Sequence, residues 1–310
     1  MKIGINTWVW TAPLTTEKLE ELVPAVAAMG FDWIEFPLEG IGDFSYARAA
    51  ALVREYGLGV STCAAMGPDR DLVHPDTAVQ QSGLDYIRQA IAATQTIGAT
   101  NLVGPIYSAV GRTWQATPDE RARDLDMLVK HLQTLAAYAA DHGVVLGIEP
   151  LNRFETSFIN THTQAIELID RVDHPACGIM LDTFHMNIEE QSIGAAIRAT
   201  GHRLCHLHAC ENDRGAPGSG HVPWNEVAAA LHDIGYDGPL VIESFTAEVQ
   251  SIAKAAAIWR KLAPSQDALA VEGLARSPGD GIPRLICETR LSALVGTPTT
   301  GLRTLTFIWS

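Results

Sequence analysis

Short β-rich runs recur along the chain at intervals of about 25–40 residues, and the segments between them carry apolar positions at helical spacing. The runs read as strands over 2–10 (KIGINTWVW), 31–38 (FDWIEFPL), 58–66 (LGVSTCAAM), 100–107 (TNLVGPIY), 144–150 (VVLGIEP), 177–182 (CGIMLD), 204–210 (LCHLHAC) and 239–245 (PLVIESF). Most are continuously apolar, as parallel strands are when helices cover both faces of the sheet. The segments between them are punctuated as helices. Thr117-Pro118-Asp119-Glu120 offers an N-cap, a proline at the first helical position and a glutamate that closes a capping box. Thr161 with Gln164 repeats the box. Gly30, Gly57, Gly143 and Gly235 each stand between a helix and a strand, where a left-handed residue ends a helix. Eight such units predict an α/β protein of the (β/α)8 TIM-barrel kind, one domain over residues 1–275. A doubly wound open sheet is the alternative, but no GxGxxG or GxxxxGK[ST] follows any of these strands.

In a barrel the C-terminal strand ends share one rim, and chemistry gathers there. Each of the last four strands brings a metal-capable side chain to that rim: Glu149 in LGIE, Asp182 in IMLD, His208 in CHLHAC and Glu243 in LVIE. Any one alone reads as a strand-end polar group capping a helix or meeting a lysine. Four on consecutive units are harder to explain so, because three carboxylates and an imidazole converging on one point repel without a cation between them. The set suits an octahedral divalent ion, Mn²⁺ first, with Co²⁺ or Mg²⁺ as alternatives. A closed zinc site would use more Cys or His. His206, one step deeper, reads as a buried histidine behind the ligands, Cys63 as a small core residue, and Cys205 as facing away from His208 by strand alternation.

The chain has 310 residues, 47% hydrophobic and 19% charged, with a formal charge of −14. That charge repels phosphate backbones and excludes nucleic acid as the expected partner. The five cysteines form no CxxC pair, which in a chain this long points to a reduced, cytoplasmic protein. No apolar stretch reaches a membrane span, and residues 1–10 are too short for a signal-peptide core.

EPLNRFE (149–155), LDTFHMNIEE (181–190), HLHACENDRGAPGSGHVPW (206–224) and GYDGPLVIESF (235–245) resemble the ketose 3-epimerases. These are the D-tagatose, D-allulose (psicose) and L-ribulose 3-epimerases of the xylose-isomerase-like barrels, and the resemblance runs to about Ala275. It implies the same four metal ligands, Glu149, Asp182, His208 and Glu243, and substrate contacts at Glu155, His185 and Arg214. Without it, Glu155 reads as a surface ion pair with Arg153 and Arg214 as a solvated loop charge. Asn6 and Trp8 on the first strand and Tyr107 on the fourth are expected near the sugar on strand-end grounds alone. The implied reaction takes the proton from carbon 3 of a free ketose and returns one to the opposite face through a cis-enediolate. Glu149 and Glu243 would be the two bases, and a divalent ion would stabilise the developing charge. Small-molecule ketose is the implied partner, and a homo-oligomer, dimer or tetramer, the implied assembly. Rival readings are a hydroxypyruvate-isomerase-like aldose–ketose isomerase, a related sugar dehydratase, a multi-zinc barrel endonuclease and a sugar-binding barrel without catalysis.

Up to Ala275 the chain stays family-like, with Ile252, Ala255 and Trp259 marking an eighth amphipathic helix. Residues 276–310 change character: four arginines, no lysine and only two acids give +2, leaving −16 for the rest. Prolines 278, 283 and 298 would interrupt a terminal helix. The segment is expected either to replace the usual ending without touching the metal site, or to pack on the barrel bottom or a partner subunit.

Overall fold

The eight runs form eight parallel strands in the computed structural model, which describes residues 1–113 and 115–277. The expectations for the tail beyond Ser277, and for Cys287, lie outside the described residues. The strands are β1 (Lys2–Asn6), β2 (Trp33–Pro37), β3 (Gly59–Cys63), β4 (Asn101–Gly104), β5 (Val145–Ile148), β6 (Cys177–Asp182), β7 (Leu204–Ala209) and β8 (Pro239–Ile242). They pair in sequence order, and β1 closes on β8 with Gly4 opposite Val241, making a closed barrel. The helices are α1 (Thr16–Met29), α2 (Tyr46–Glu55), α3 (Thr77–Ile97), α4 (Pro118–Asp141) and α5 (His162–Val172), then α6 (Thr183–Glu189), α7 (Ile193–Thr200), α8 (Trp224–Asp233), α9 (Gln250–Ala255) and α10 (Gln266–Arg276). One continuous apolar core lies between the strands and these helices.

The punctuation acts as expected. Thr117 and Thr161 close capping boxes with Glu120 and Gln164, and Gly30, Gly57, Gly143 and Gly235 take φ of 96°, 68°, 67° and 66°. Among the described residues no helix is long and apolar enough to cross a membrane.

Most strands are shorter than their apolar runs. β1 ends at Asn6, whose side chain accepts the Trp8 N–H and turns Thr7–Val9 into a 3-10 helix. β4 ends at Gly104, where φ is +123° and a Cβ would stand 2.3 Å from the Ala64 carbonyl oxygen; only glycine admits that approach. Glu149 and Glu243 consequently follow β5 and β8 instead of ending them. At β6–β7 the register shifts, pairing Ile179 with Leu204 but Met180 with His206. Cys205 falls in that bulge, so strict alternation against His208 does not hold for it.

The eighth amphipathic helix is also placed differently. α9 stops at Ala255; Ala257 takes φ 54°, and the Ile258 N–H returns to the Ala253 carbonyl at 2.8 Å. This left-handed stop turns the chain out, and Trp259 is 82% exposed. The helix that covers β8 is α10, through buried Leu269, Ala270 and Leu274.

Candidate metal centre and its cavity

The four expected rim residues come together and all are buried. Asp182, His208 and Glu243 offer donor atoms within 4.8 Å of one another, and so do Glu149, Asp182 and His185. Asp182 is positioned twice: it ends β6 and caps α6, its Oδ1 accepting the Phe184 N–H at 2.7 Å, which leaves Oδ2 for the cluster. Thr183 ties that helix start to the segment after β7, donating to the Cys210 carbonyl at 2.6 Å and accepting the Cys210 N–H at 2.8 Å.

His208 is oriented by a residue that the strand-end reading passed over. Glu35, inside β2 and fully buried, sits 2.6 Å from His208 Nε2 and 2.9 Å from His206 Nε2. Its oxygens also accept from Asn6 Nδ2 at 2.9 Å and Ser61 Oγ at 2.7 Å. His208 thus gives Nε2 to Glu35 and presents Nδ1, which has no hydrogen-bond partner and lies 3.3 Å from Glu243 Oε1. A carboxylate behind a histidine is the usual arrangement for fixing a metal-binding imidazole. The signal was in the sequence: a charge inside the apolar run DWIEFP must be paired where it is buried. His206 is a fully buried neighbour of Glu35, and these two with His208 form a third group of donor atoms within 4.8 Å of one another.

Arg214 lies 4% exposed in the loop after β7 and is no solvated charge. Its Nη1 donates to Asp182 Oδ2 and to Glu243 Oε2, both at 2.9 Å. The guanidinium stacks 3.8 Å from the Phe184 ring and 4.7 Å from that of Phe245. Its backbone takes φ 68°, in a loop fixed by buried Glu211, another residue the sequence reading missed. Glu211 accepts the N–H groups of Gly218 (2.8 Å) and Val222 (2.8 Å) and the Trp224 indole (3.0 Å).

His185 Nδ1 accepts the Asn152 backbone N–H at 3.0 Å, which leaves the proton on Nε2. That nitrogen stands 3.6 Å from Glu149 Oε1 and 3.2 Å from Arg214 Nη2. Burial, with Arg214 and His208 nearby, holds the imidazole well below its usual range, so it is neutral. Glu155 accepts from Asn152 Nδ2 at 2.9 Å and lies 4.0 Å from Arg214. Arg153 pairs with Glu189 at 2.9 Å, so the surface pair with Glu155 does not form.

The charges fit a cation. Burial, then Glu243 and Asp182, push the Glu149 carboxyl well above its usual range. Burial also pushes Asp182 up to about 7, with Arg214 opposing and Glu243 adding to the rise. Burial disfavours charge on His208, yet Glu35 and Glu243 hold its imidazole well above the usual range. Positive charge is therefore drawn to this point, and an all-oxygen-and-imidazole donor set, with His208 Nδ1 turned to Glu243, suits a hard divalent ion.

The cluster opens into a cavity of about 340 Å³ lined by Glu149, Glu243, His185, Arg214, Glu155 and Trp8 among others. Asn6 and Tyr107 stand outside that wall. The Asn6 amide holds Glu35, Cys63 and the Trp8 N–H, and the Tyr107 hydroxyl donates to the Ile159 carbonyl at 3.2 Å. Both are fully buried groups whose polar atoms are engaged by the scaffold. Cys63, Cys177, Cys205 and Cys210 are free thiols.

A family model described as xylose isomerase-like TIM barrel matches residues 23–264. The ketose 3-epimerase of Arthrobacter globiformis is 34% identical over 264 residues, covering 84% of this chain and 90% of that protein. The L-ribulose 3-epimerase of Methylomonas sp. is 31% identical, over 88% of this chain and 96% of that one. A crystal structure of D-allulose 3-epimerase from Methylomonas sp. in complex with D-allulose superposes with a TM-score of 0.82 at 31% identity, over 88% of this chain and 95% of that chain.

Proposed function

The chain belongs to the xylose isomerase-like TIM barrels and, within them, to the ketose 3-epimerases, enzymes of the isomerase class; from that premise we propose that it inverts carbon 3 of free ketoses with the help of a divalent ion. The carrying observation is the buried convergence of Glu149, Asp182, His208 and Glu243 at the ends of four consecutive strands, beside one cavity. The pairs D-tagatose/D-sorbose, D-fructose/D-allulose and L-ribulose/L-xylulose are its candidate substrates, and Mn²⁺, Co²⁺ or Mg²⁺ its candidate ions.

Glu149, Asp182, His208 and Glu243 would hold the ion. When bound, it supplies Lewis-acid polarisation of the ketose oxygens next to carbon 3. Epimerisation needs two proton-transfer groups on opposite faces of that carbon. Glu149 and Glu243 approach from β5 and β8, with the Asp182 and His208 strands between them. One takes the carbon 3 proton, the electron pair passes into the carbon 2–carbon 3 bond, and the charge settles on the 2-oxygen as an enediolate. The other glutamate returns a proton to the far face. His185 Nε2–H and the Arg214 guanidinium are donors beside the point where that charge develops, the first held by Asn152 and the second stacked between two phenyl rings. Glu155 orients a hydroxyl.

A panel of D-tagatose, D-fructose and L-ribulose, assayed with added Mn²⁺ against hydroxypyruvate, tests the reading. Formation of the 3-epimer of at least one ketose is expected. Turnover of hydroxypyruvate alone, or an aldose product, would assign the site to an isomerase instead.

A further inference from the structure

The cavity wall across from the acidic cluster carries polar groups that the proposed chemistry leaves unused. The cluster is built on β5–β8, whereas the turns after β2 and β3, in the other half of the closed barrel, supply Glu39 and Arg70. Trp8, just after β1, completes that side of the wall. One polar atom of each is buried without a well-formed hydrogen bond: Oε2 of Glu39, Nε of Arg70 and Nε1 of Trp8, the indole lying close enough to the Glu39 carboxyl to act on it. Buried polar atoms are ordinarily satisfied, so an Arg70 Nε with no partner beside an indole and a carboxyl that pair only loosely calls for a ligand on this wall. These side chains are not loosely held. Arg70 Nη2 donates to the Glu39 carbonyl at 3.1 Å, its guanidinium stacks 3.9 Å from the Tyr86 ring, and the Tyr86 hydroxyl donates to the Leu38 carbonyl.

Two donors and one acceptor suit a hydroxyl, which accepts and donates at once. A phosphate offers only acceptors and negative charge; it would gain from Arg70 but would meet Glu39, with acidic Asp43 near enough to bear on the same carboxyl. Binding the ketose by its carbonyl end at the acidic cluster sends the rest of the chain toward this wall. We propose that Glu39, Arg70 and Trp8 form a subsite for the terminal hydroxyl of the sugar and select free ketoses over ketose phosphates. The proposal rests on the ketose reading above, and binding measurements keep the two separable.

Calorimetric titration of the Mn²⁺-loaded protein with D-fructose, 6-deoxy-D-fructose and D-fructose 6-phosphate tests it. Wild type should bind D-fructose about tenfold more tightly than either analogue, on the scale of one lost polar contact. Glu39→Gln and Arg70→Met should each weaken D-fructose by a similar factor while leaving the 6-deoxy sugar nearly unchanged. Glu39→Gln should in addition strengthen the 6-phosphate. Ketoses that bind in this pattern without being turned over would sink the epimerase reading and leave the subsite standing. Equal wild-type affinity for the 6-phosphate, unchanged affinities in both variants, or no ketose binding at all would overturn the subsite.

Discussion

Glu149→Gln and Glu243→Gln are each expected to lower ketose turnover by about 10²–10⁴-fold, the range of a lost general acid or base. The amide keeps the size of the side chain and can still offer an oxygen to an ion, so the loss falls on proton transfer. The two variants should differ in stability, and the difference tests whether the cluster is read correctly. Burial, then Glu243 and Asp182, push Glu149 toward its neutral form, so a neutral amide there should not lower the melting temperature of metal-free protein. Glu243 faces His208 at 3.3 Å and Arg214 at 2.9 Å, and burial alone does not keep it neutral: His208 and Arg214 hold its carboxyl below the usual range. Removing that charge leaves two cations facing one carboxylate fewer, so Glu243→Gln should melt lower. Calorimetry and a ketose assay on the same preparations check both halves. Near-wild-type turnover in either variant would remove that residue from the pair of bases.

Removing the ion should have an effect of similar size. Chelator-treated protein is expected to lose epimerase activity and to regain it on addition of Mn²⁺ or Co²⁺. A ligand that binds only the folded state at about 100 times its Kd stabilises by about 2.7 kcal/mol, which for a chain of this size is a rise in Tm on the order of 5 °C. The rise should sit toward the low end, because the ion must displace groups that already balance the carboxylates: the Arg214 contacts to Asp182 and Glu243 and a proton on His208. Binding should accordingly release protons, visible as a buffer-dependent heat. Full activity in protein shown by elemental analysis to be free of metal would exclude the ion from the mechanism.

How much of this could be read from the sequence follows from the range of each signal. The strand–helix beat, the two capping boxes and the left-handed glycines are local, and the closed barrel follows from counting them. The metal-capable set was visible because a barrel maps consecutive strand ends onto one rim. What escaped depends on contacts across the barrel. Glu35 meets His208 from 173 positions away, and nothing near either residue announces the pair except the oddity of a charge inside an apolar strand. Glu211 and the Glu39–Arg70 pair likewise act through loop geometry. For Asn6 and Tyr107, strand position fixes the height of a side chain in the barrel but not whether neighbours claim its polar atoms, as Glu35 and Ile159 do here. Trp259 was assigned to a helix by its spacing from Ile252 and Ala255, and the left-handed Ala257 that breaks the helix has no sequence mark as a glycine would.

The central claim is that a carbon 3 proton is taken by one buried glutamate and returned by another. Running the metal-loaded wild-type enzyme on D-fructose in heavy water, and reading the recovered 3-epimer by NMR, tests it most directly. The account predicts a product carrying deuterium at carbon 3 and nowhere else. A product that keeps its original hydrogen at carbon 3 would point to hydride transfer and contradict it.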